Sequence, residues 1–322
     1  MKIRIVTAIL VAACLAGCSI YNAKPEETEI ANELTVSTTI QQTEQTDPAR
    51  ETTQATQLAV TETIALEATL PPEIIQPEEE DFVIVREYIP DVIIELRYAT
   101  DNNFTGQKIY EFSELWLRYG TVKKLMLVQE ELKQNGLYLK IWDGFRPPSA
   151  QFKLWEVCPD PTYVSNPNNG FSSHSRGNTV DITLVDDEGT EIVMPTGFDD
   201  FSALADRDYS DCTQEARANA LLLEQVMISH GFRPYSGEWW HYTDEMSYPV
   251  EQSFEPMETA WYYADCNEYI SLRTAPNTAA DVITTIRTQE EFQVVAQCGE
   301  FLLVRYQNLY GYVLRSYAQP VE

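Results

Sequence analysis

Residues 172–184 read SSHSRGNTVDITL, and residues 237–243 read GEWWHYT. In the first stretch Gly177 permits a turn, and the alternating run NTVDITLV after it reads as a strand. His174 then stands at a loop end and Asp181 on the strand, both aimed at one point. GEWWHYT reads as a neighbouring strand that brings His241 to the same place. The chain holds only three histidines, so a multi-histidine site is almost fully specified. Two imidazoles and one carboxylate leave a fourth tetrahedral position open, as a catalytic zinc requires. Glu238 lies three residues before His241. On an ideal strand those two face opposite sides, so a bulge or a strand end must intervene if both serve one site. The third histidine, His230, precedes Gly231 at the end of a predicted helix and reads as a capping residue.

Around this centre the pattern is α+β. FVIVREY, DVIIELRYA and LYLKIWDG read as strands. Thr121 to Asn135 carries Val122, Leu125, Met126, Val128 and Leu132 at helical spacing and stops at Gly136. Pro147-Pro148 opens a short helix to about Trp155. Thr213 caps another through Ala216, Ala220, Leu223 and Met227, ending at Gly231. Residues 82–254 are therefore expected to form a mostly antiparallel sheet with helices packed on it. Residues 255–322 hold short strands separated by turns (YISLRTAP, DVITTIR, EFQVVAQ, FLLVRYQ, YGYVLRSYA), which predict a small all-β barrel.

Five ordered blocks carry a family resemblance. The pattern S-x-H-x-x-G-x-x-x-D followed by E-x-W-H resembles the zinc D,D-peptidases, a family with D-Ala-D-Ala dipeptidases and D-Ala-D-Ala carboxypeptidases. LRYATDNNFTG (96–106), DGFRPPSAQ (143–151) and MPTGFDDFS (194–202) are similar to the dipeptidase branch. The resemblance implies that His174, Asp181 and His241 ligate one zinc ion per chain. It also implies that Glu238 is the general base and that Arg146 donates to the carbonyl oxygen as it gains charge. Ser172, Asn103, Phe104 and Thr105 are expected to line the substrate pocket. The implied reaction is hydrolysis of D-Ala-D-Ala. The alternatives are trimming of peptidoglycan stem peptides by a carboxypeptidase and a non-catalytic wall-binding lipoprotein. The tail resembles a bacterial Src-homology-3-like domain, which implies cell-wall contact.

The N-terminus reads as an address. Lys2 and Arg4 precede an apolar run from Ile5 to Ala16, too short to span a bilayer and the right length for a signal peptide, 1–17. Leu15-Ala16-Gly17-Cys18 resembles the bacterial lipobox, so Cys18 is the expected lipidation site. The protein is then expected outside the cytoplasm and tethered to the membrane, where it meets wall fragments in recycling or turnover. Residues 18–81 are rich in Thr and Glu and have too few apolar side chains to offset the entropy of ordering, so they read as an acidic tether. In an oxidising compartment Cys158, Cys212, Cys266 and Cys298 are expected to pair within domains, 158 with 212 and 266 with 298. Over 322 residues, 22 Lys and Arg stand against 50 Asp and Glu, a net charge of -28. That balance excludes a partner bound through nucleic-acid phosphates.

Overall fold

The computed structural model describes residues 76–321. The expected signal segment 1–17, the expected lipidation site Cys18 and the expected tether up to residue 75 lie outside the described residues. In the first region the elements are β1 (Phe82–Ile84), β2 (Ile93–Ile94), β3 (Trp116–Arg118), α1 (Tyr119–Lys133), β4 (Tyr138–Asp143), α2 (Pro148–Val157), β5 (Thr179–Val185), α3 (Gln214–Ser229), β6 (Phe232–Pro234) and β7 (His241–Asp244). Five of the strands make one sheet in the order β2-β4-β5-β7-β6. Only the β2–β4 pair is parallel, so the expected antiparallel sheet is present.

Helix α1 buries Val122, Leu125, Val128 and Leu132 against β4 and α3, while Met126 points outward. The chain leaves this helix at Gly136 (φ 69°), a left-handed position that costs glycine nothing. Thr213 caps α3 by accepting a hydrogen bond from Ala216 N–H at 3.1 Å. His230 closes the same helix, and its Nε2 lies 2.8 Å from the Glu131 carboxylate of α1. The capping residue thus also ties the two helices together.

Three expected strands are shorter than their apolar runs. FVIVREY turns into a single 3-10 turn at Val85–Glu87, and DVIIELRYA does so at Arg97–Ala99. GEWWHYT extends only from His241 onward, because Tyr235 and Glu238 carbonyls close turns onto Glu238 and His241 N–H.

In the second region come β8 (Phe254–Ala264), β9 (Tyr269–Arg273), β10 (Val282–Arg287), β11 (Glu291–Cys298), β12 (Phe301–Tyr306), β13 (Leu309–Leu314) and β14 (Ala318–Pro320). They form one sheet in the order β10-β9-β13-β12-β11-β8-β14. This corrects the expected barrel. Among the described residues the end strands β10 and β14 do not pair with one another, so the ladder stays open. A register shift at Val294/Ala296 interrupts the β11–β8 pairing, and the far end of β8, Tyr262 to Ala264, takes β14 along its other edge.

Among the described residues the expected disulfides are not formed, and Cys158, Cys212, Cys266 and Cys298 are unpaired. Cys298 is buried in the large apolar cluster, whereas Cys266 packs on the smaller cluster of the second region. Cys212 Sγ is turned toward the Tyr209 carbonyl at 3.5 Å, and Cys158 terminates α2.

The two regions share a core. Phe254, at the start of β8, is buried and stacks in parallel on Phe82 at 4.4 Å. Its ring also meets Trp116 at 5.2 Å and Phe145 at 5.7 Å. Val295, Ala296, Cys298 and Leu303 continue the same cluster into the second sheet. Phe145 directly precedes Arg146, so this packing supports a candidate site residue. Phe254→Ala is expected to lower unfolding free energy by about 3–5 kcal/mol, read from denaturant melts; a loss below about 1 kcal/mol would show that the ring is not structural.

Candidate metal centre

Register places the site. Asp143 on β4 is paired with Asp181 on β5, and Asp181 with His241 on β7. Directly opposed residues on adjacent strands point to the same face, so these three side chains form one row across the sheet. His174 reaches the row from a 3-10 turn, Ser173–Arg176, that precedes β5. Ser172 caps this turn by accepting from His174 N–H at 3.4 Å. Gly177 leaves it at φ 75°, and a Cβ there would stand 2.4 Å from the Phe82 ring. Only glycine satisfies both the dihedral and the close approach.

One nitrogen of each imidazole and a carboxylate oxygen of Asp181 lie within 4.8 Å of one another. His241 Nδ1 is 3.0 Å from Asp181 Oδ1, and His174 Nε2 is 3.4 Å from Oδ2. His174 Nδ1 lies 2.8 Å from the Gly144 carbonyl, which makes Nδ1 the protonated nitrogen and turns the Nε2 lone pair toward Asp181. His241 Nε2 stands 3.4 Å from Ser173 Oγ, which leaves Nδ1 facing inward. Asp181 Oδ1 is buried without a hydrogen-bond partner of acceptable geometry. Burial acts to raise Asp181, but His174 and His241 outweigh it and hold the carboxyl well below its usual range. An ionised, under-bonded carboxylate faced by one nitrogen from each of two imidazoles fits one divalent cation, which would take over the charge balance that the imidazole protons otherwise supply.

Glu238 occupies the turn ahead of β7 rather than the strand, which resolves the difficulty of the two-residue period. Its Oε2 is 3.5 Å from His241 Nδ1. Burial, then the charge of Asp181, raises its pKa, so a proton is held more readily than by a free glutamate.

Arg146 is buried and fully oriented. Its Nη2 donates to Asp143 Oδ2 at 2.6 Å, Nη1 to Gln151 Oε1 at 3.1 Å, and Nε to the Tyr110 hydroxyl at 3.3 Å. The Tyr110 hydroxyl donates in turn to Asp143 Oδ1 at 2.6 Å. Burial acts to lower the Arg146 pKa, but Asp143 more than compensates and the guanidinium stays charged.

Two residues that sequence reading did not single out complete the cluster. Asp199 accepts a hydrogen bond from the Tyr98 hydroxyl at 2.7 Å. Burial, assisted by the charges of Asp181 and Glu238, pushes Asp199 up to about 8. It also adopts φ 54°, a left-handed conformation rare for residues other than glycine. Both residues fall inside quoted motifs, but nothing in their spacing marks them as neighbours.

The expected pocket residues divide. Phe104 joins an aromatic wall, edge-on to Phe201 at 5.3 Å and to Tyr98 at 6.4 Å. Asn103 and Thr105 spend their hydrogen bonds on their own loop: Asn103 Nδ2 donates to the Thr100 and Gln107 carbonyls, and its Oδ1 accepts from Thr105 N–H and Oγ1–H. They shape the loop that carries Phe104. Ser172 holds the turn beneath His174.

Residues 78–258 match a family described as D-ala-D-ala dipeptidase, and residues 268–319 match one described as bacterial SH3 domain. A D-alanyl-D-alanine dipeptidase of Escherichia coli (strain K12) is 38% identical over 163 residues, which is 50% of this chain and 84% of that protein. D-alanyl-D-alanine dipeptidases of Enterococcus faecium and of Streptomyces coelicolor (strain ATCC BAA-471 / A3(2) / M145) are 30% and 32% identical, each over 51% of this chain and 91% of the relative.

The geometry makes metal retention the first test of the site. Purified protein is expected to hold one divalent ion per chain by elemental analysis. His241→Ala should weaken binding by more than the about 10–100-fold that loss of an outer partner costs; unchanged affinity in a chelator competition would remove His241 from the donor set.

Proposed function

We propose that this chain, which belongs to the D-Ala-D-Ala dipeptidase family, hydrolyses free D-Ala-D-Ala to two D-alanines with zinc held by His174, Asp181 and His241. The observation that carries this reading is the convergence on one sheet face of that donor set with Glu238, Arg146 and Asp199. Zinc in such a site supplies Lewis-acid polarisation of the scissile carbonyl and eases deprotonation of water. Glu238 takes a proton from the attacking water as its oxygen bonds to the carbonyl carbon. It then delivers a proton to the amide nitrogen as the C–N bond breaks, so the carboxylate is regenerated. A pKa raised by burial suits a group that must both accept and return that proton.

Arg146 has five N–H donors, of which three are engaged by Asp143, Gln151 and Tyr110. The remaining donors sit on a side chain that cannot swing, which suits stabilisation of the oxyanion as charge develops. Asp199 and Tyr98 account for the choice of substrate. A free dipeptide carries an ammonium that would ionise Asp199 and pair with it, while an N-acylated stem peptide offers no cation, leaves Asp199 protonated and forgoes that ion pair. This disfavours the carboxypeptidase alternative. Five oriented catalytic and ligand positions likewise disfavour a non-catalytic role.

The proposed setting is outside the cytoplasm, with a lipid on Cys18 and the bacterial SH3 domain in contact with the cell wall. The lipobox-like LAGC sequence supports the anchor, and the match at residues 268–319 supports the wall contact. There the enzyme would process dipeptide released in wall turnover.

Glu238→Gln is expected to keep its metal and lose about 10²–10⁴-fold in kcat; near-normal turnover would refute the general-base role. Asp199→Asn should raise KM for D-Ala-D-Ala by about 10–100-fold, the worth of a charge-assisted hydrogen bond. Neither wild type nor variant should cleave an N-acetylated peptide ending in D-Ala-D-Ala, and efficient cleavage of that peptide would select the carboxypeptidase instead.

A further inference from the structure

We propose that Arg207, outside every motif quoted above, is a positioning residue that sets the geometry of both Glu238 and His241. Glu238 lies in the loop of the β6–β7 hairpin, and His241 is the first residue of β7. Inside the loop, Glu238 N–H to the Tyr235 carbonyl and His241 N–H to the Glu238 carbonyl are both long at 3.4 Å, while Tyr235 N–H donates across the mouth to the His241 carbonyl at 3.1 Å. The Arg207 guanidinium spans the mouth of the loop with shorter bonds. Nε donates to the Tyr235 carbonyl at 2.7 Å and Nη2 to the His241 carbonyl at 3.0 Å. The backbone near it adds two more ties, Arg207 N–H to the Ser236 carbonyl at 3.2 Å and Trp239 N–H to the Ala205 carbonyl at 2.9 Å.

The guanidinium is itself fixed on its far side. Nη1 donates to Glu224 Oε2 of α3 at 2.8 Å and to the hydroxyls of Tyr242 and Tyr209 at 3.1 and 3.2 Å. Its carbon lies 4.4 Å from the centre of the Tyr242 ring. Hydrogen bonds from a charged donor are roughly twice as strong as neutral ones. Arg207 therefore puts charged donors on both carbonyls at the loop mouth, where the backbone alone supplies one bond of ordinary length and two long turn bonds. A planar fork with donors at fixed angles can hold two carbonyls at once, whereas a lysine ammonium cannot reproduce that spacing. The guanidinium touches no reacting atom. It acts through the backbone of a metal ligand and of the turn that presents the base.

This inference rests on the reading that His241 binds metal and Glu238 serves as base, and metal affinity tests it without reference to turnover. Arg207→Gln is expected to remain folded, to bind zinc about 10–100-fold more weakly in a chelator competition, and to lose a comparable factor in kcat with KM nearly unchanged. Arg207→Lys should fall between wild type and Arg207→Gln in both quantities. Should Arg207→Gln fail to fold, Arg207→Lys alone decides: weaker zinc binding in a folded protein supports the assignment. Wild-type zinc affinity in either folded variant overturns it, whatever the activity. If wild type binds zinc but does not cleave the dipeptide, the proposed function fails while the zinc measurements still judge Arg207.

Discussion

The arrangement of the site depends on an ionised carboxylate buried between two imidazoles. Two aspartates stand side by side on β4 and β5, and both are buried. Leaving either charge uncompensated would cost several kcal/mol. Asp143 is satisfied within the protein by Tyr110, the Gly144 N–H and Arg146. Asp181 is not: it has imidazole nitrogens for neighbours and one oxygen without a hydrogen bond. The two carboxylates thus divide the work. One anchors the Arg146 guanidinium, and the other stands with the two imidazoles in the candidate cation site. Because they are opposed in register, the distance between these two functions is set by the spacing of neighbouring strands rather than by any loop.

Much of this was legible in the sequence because it follows from local rules. Gly177 before an alternating run gives a turn and a strand, and so predicts that His174 and Asp181 converge. The helices over Thr121–Asn135 and from Thr213 were equally plain from apolar spacing and a capping hydroxyl. What the sequence hid was tertiary. Asp199 meets Tyr98 across 101 positions and does so from a left-handed backbone conformation, which a Gly-Phe-Asp-Asp run does not announce. Apolar alternation in the tail predicts strands but not closure, which depends on whether the two outermost strands meet. The cysteine pairing failed for a related reason. Compartment and count permit bonds, yet Cys266 and Cys298 border different apolar clusters.

The boundary between the two regions is another feature that composition cannot reveal. A change of texture near residue 254 separates two sets of strands, and the first family match ends at residue 258 while the second begins at 268. In three dimensions the first residue of β8 is a core residue of the first region. The adjoining linker adds polar ties: Glu251 pairs with Arg118 at 3.3 Å, and its N–H donates to the Ser175 carbonyl at 2.9 Å. Ser175 is next to His174. The second region is therefore joined to the segment that carries a candidate metal ligand, His174, and its removal would expose the stacked Phe82 ring beneath Gly177.

The turn that carries Glu238 shows why a motif of this length must be so compact. Between the base and the ligand lie two tryptophans, both buried. Trp239 meets Trp142 edge-on at 5.9 Å and donates from Nε1 to Thr196 Oγ1 at 2.9 Å. The Trp240 carbonyl accepts from Ile182 N–H on β5 at 3.0 Å. Each ring has its own place, so the hairpin cannot slide by one residue without driving an indole out of the core and a carboxylate into it. A slip would also reverse the facing of every β7 side chain, turning His241 away from Asp181. The tryptophans fix which residue of the loop meets the metal centre. With the register so fixed, what remains adjustable is the tilt of the loop, and the carbonyl bonds at its mouth are where that tilt is held.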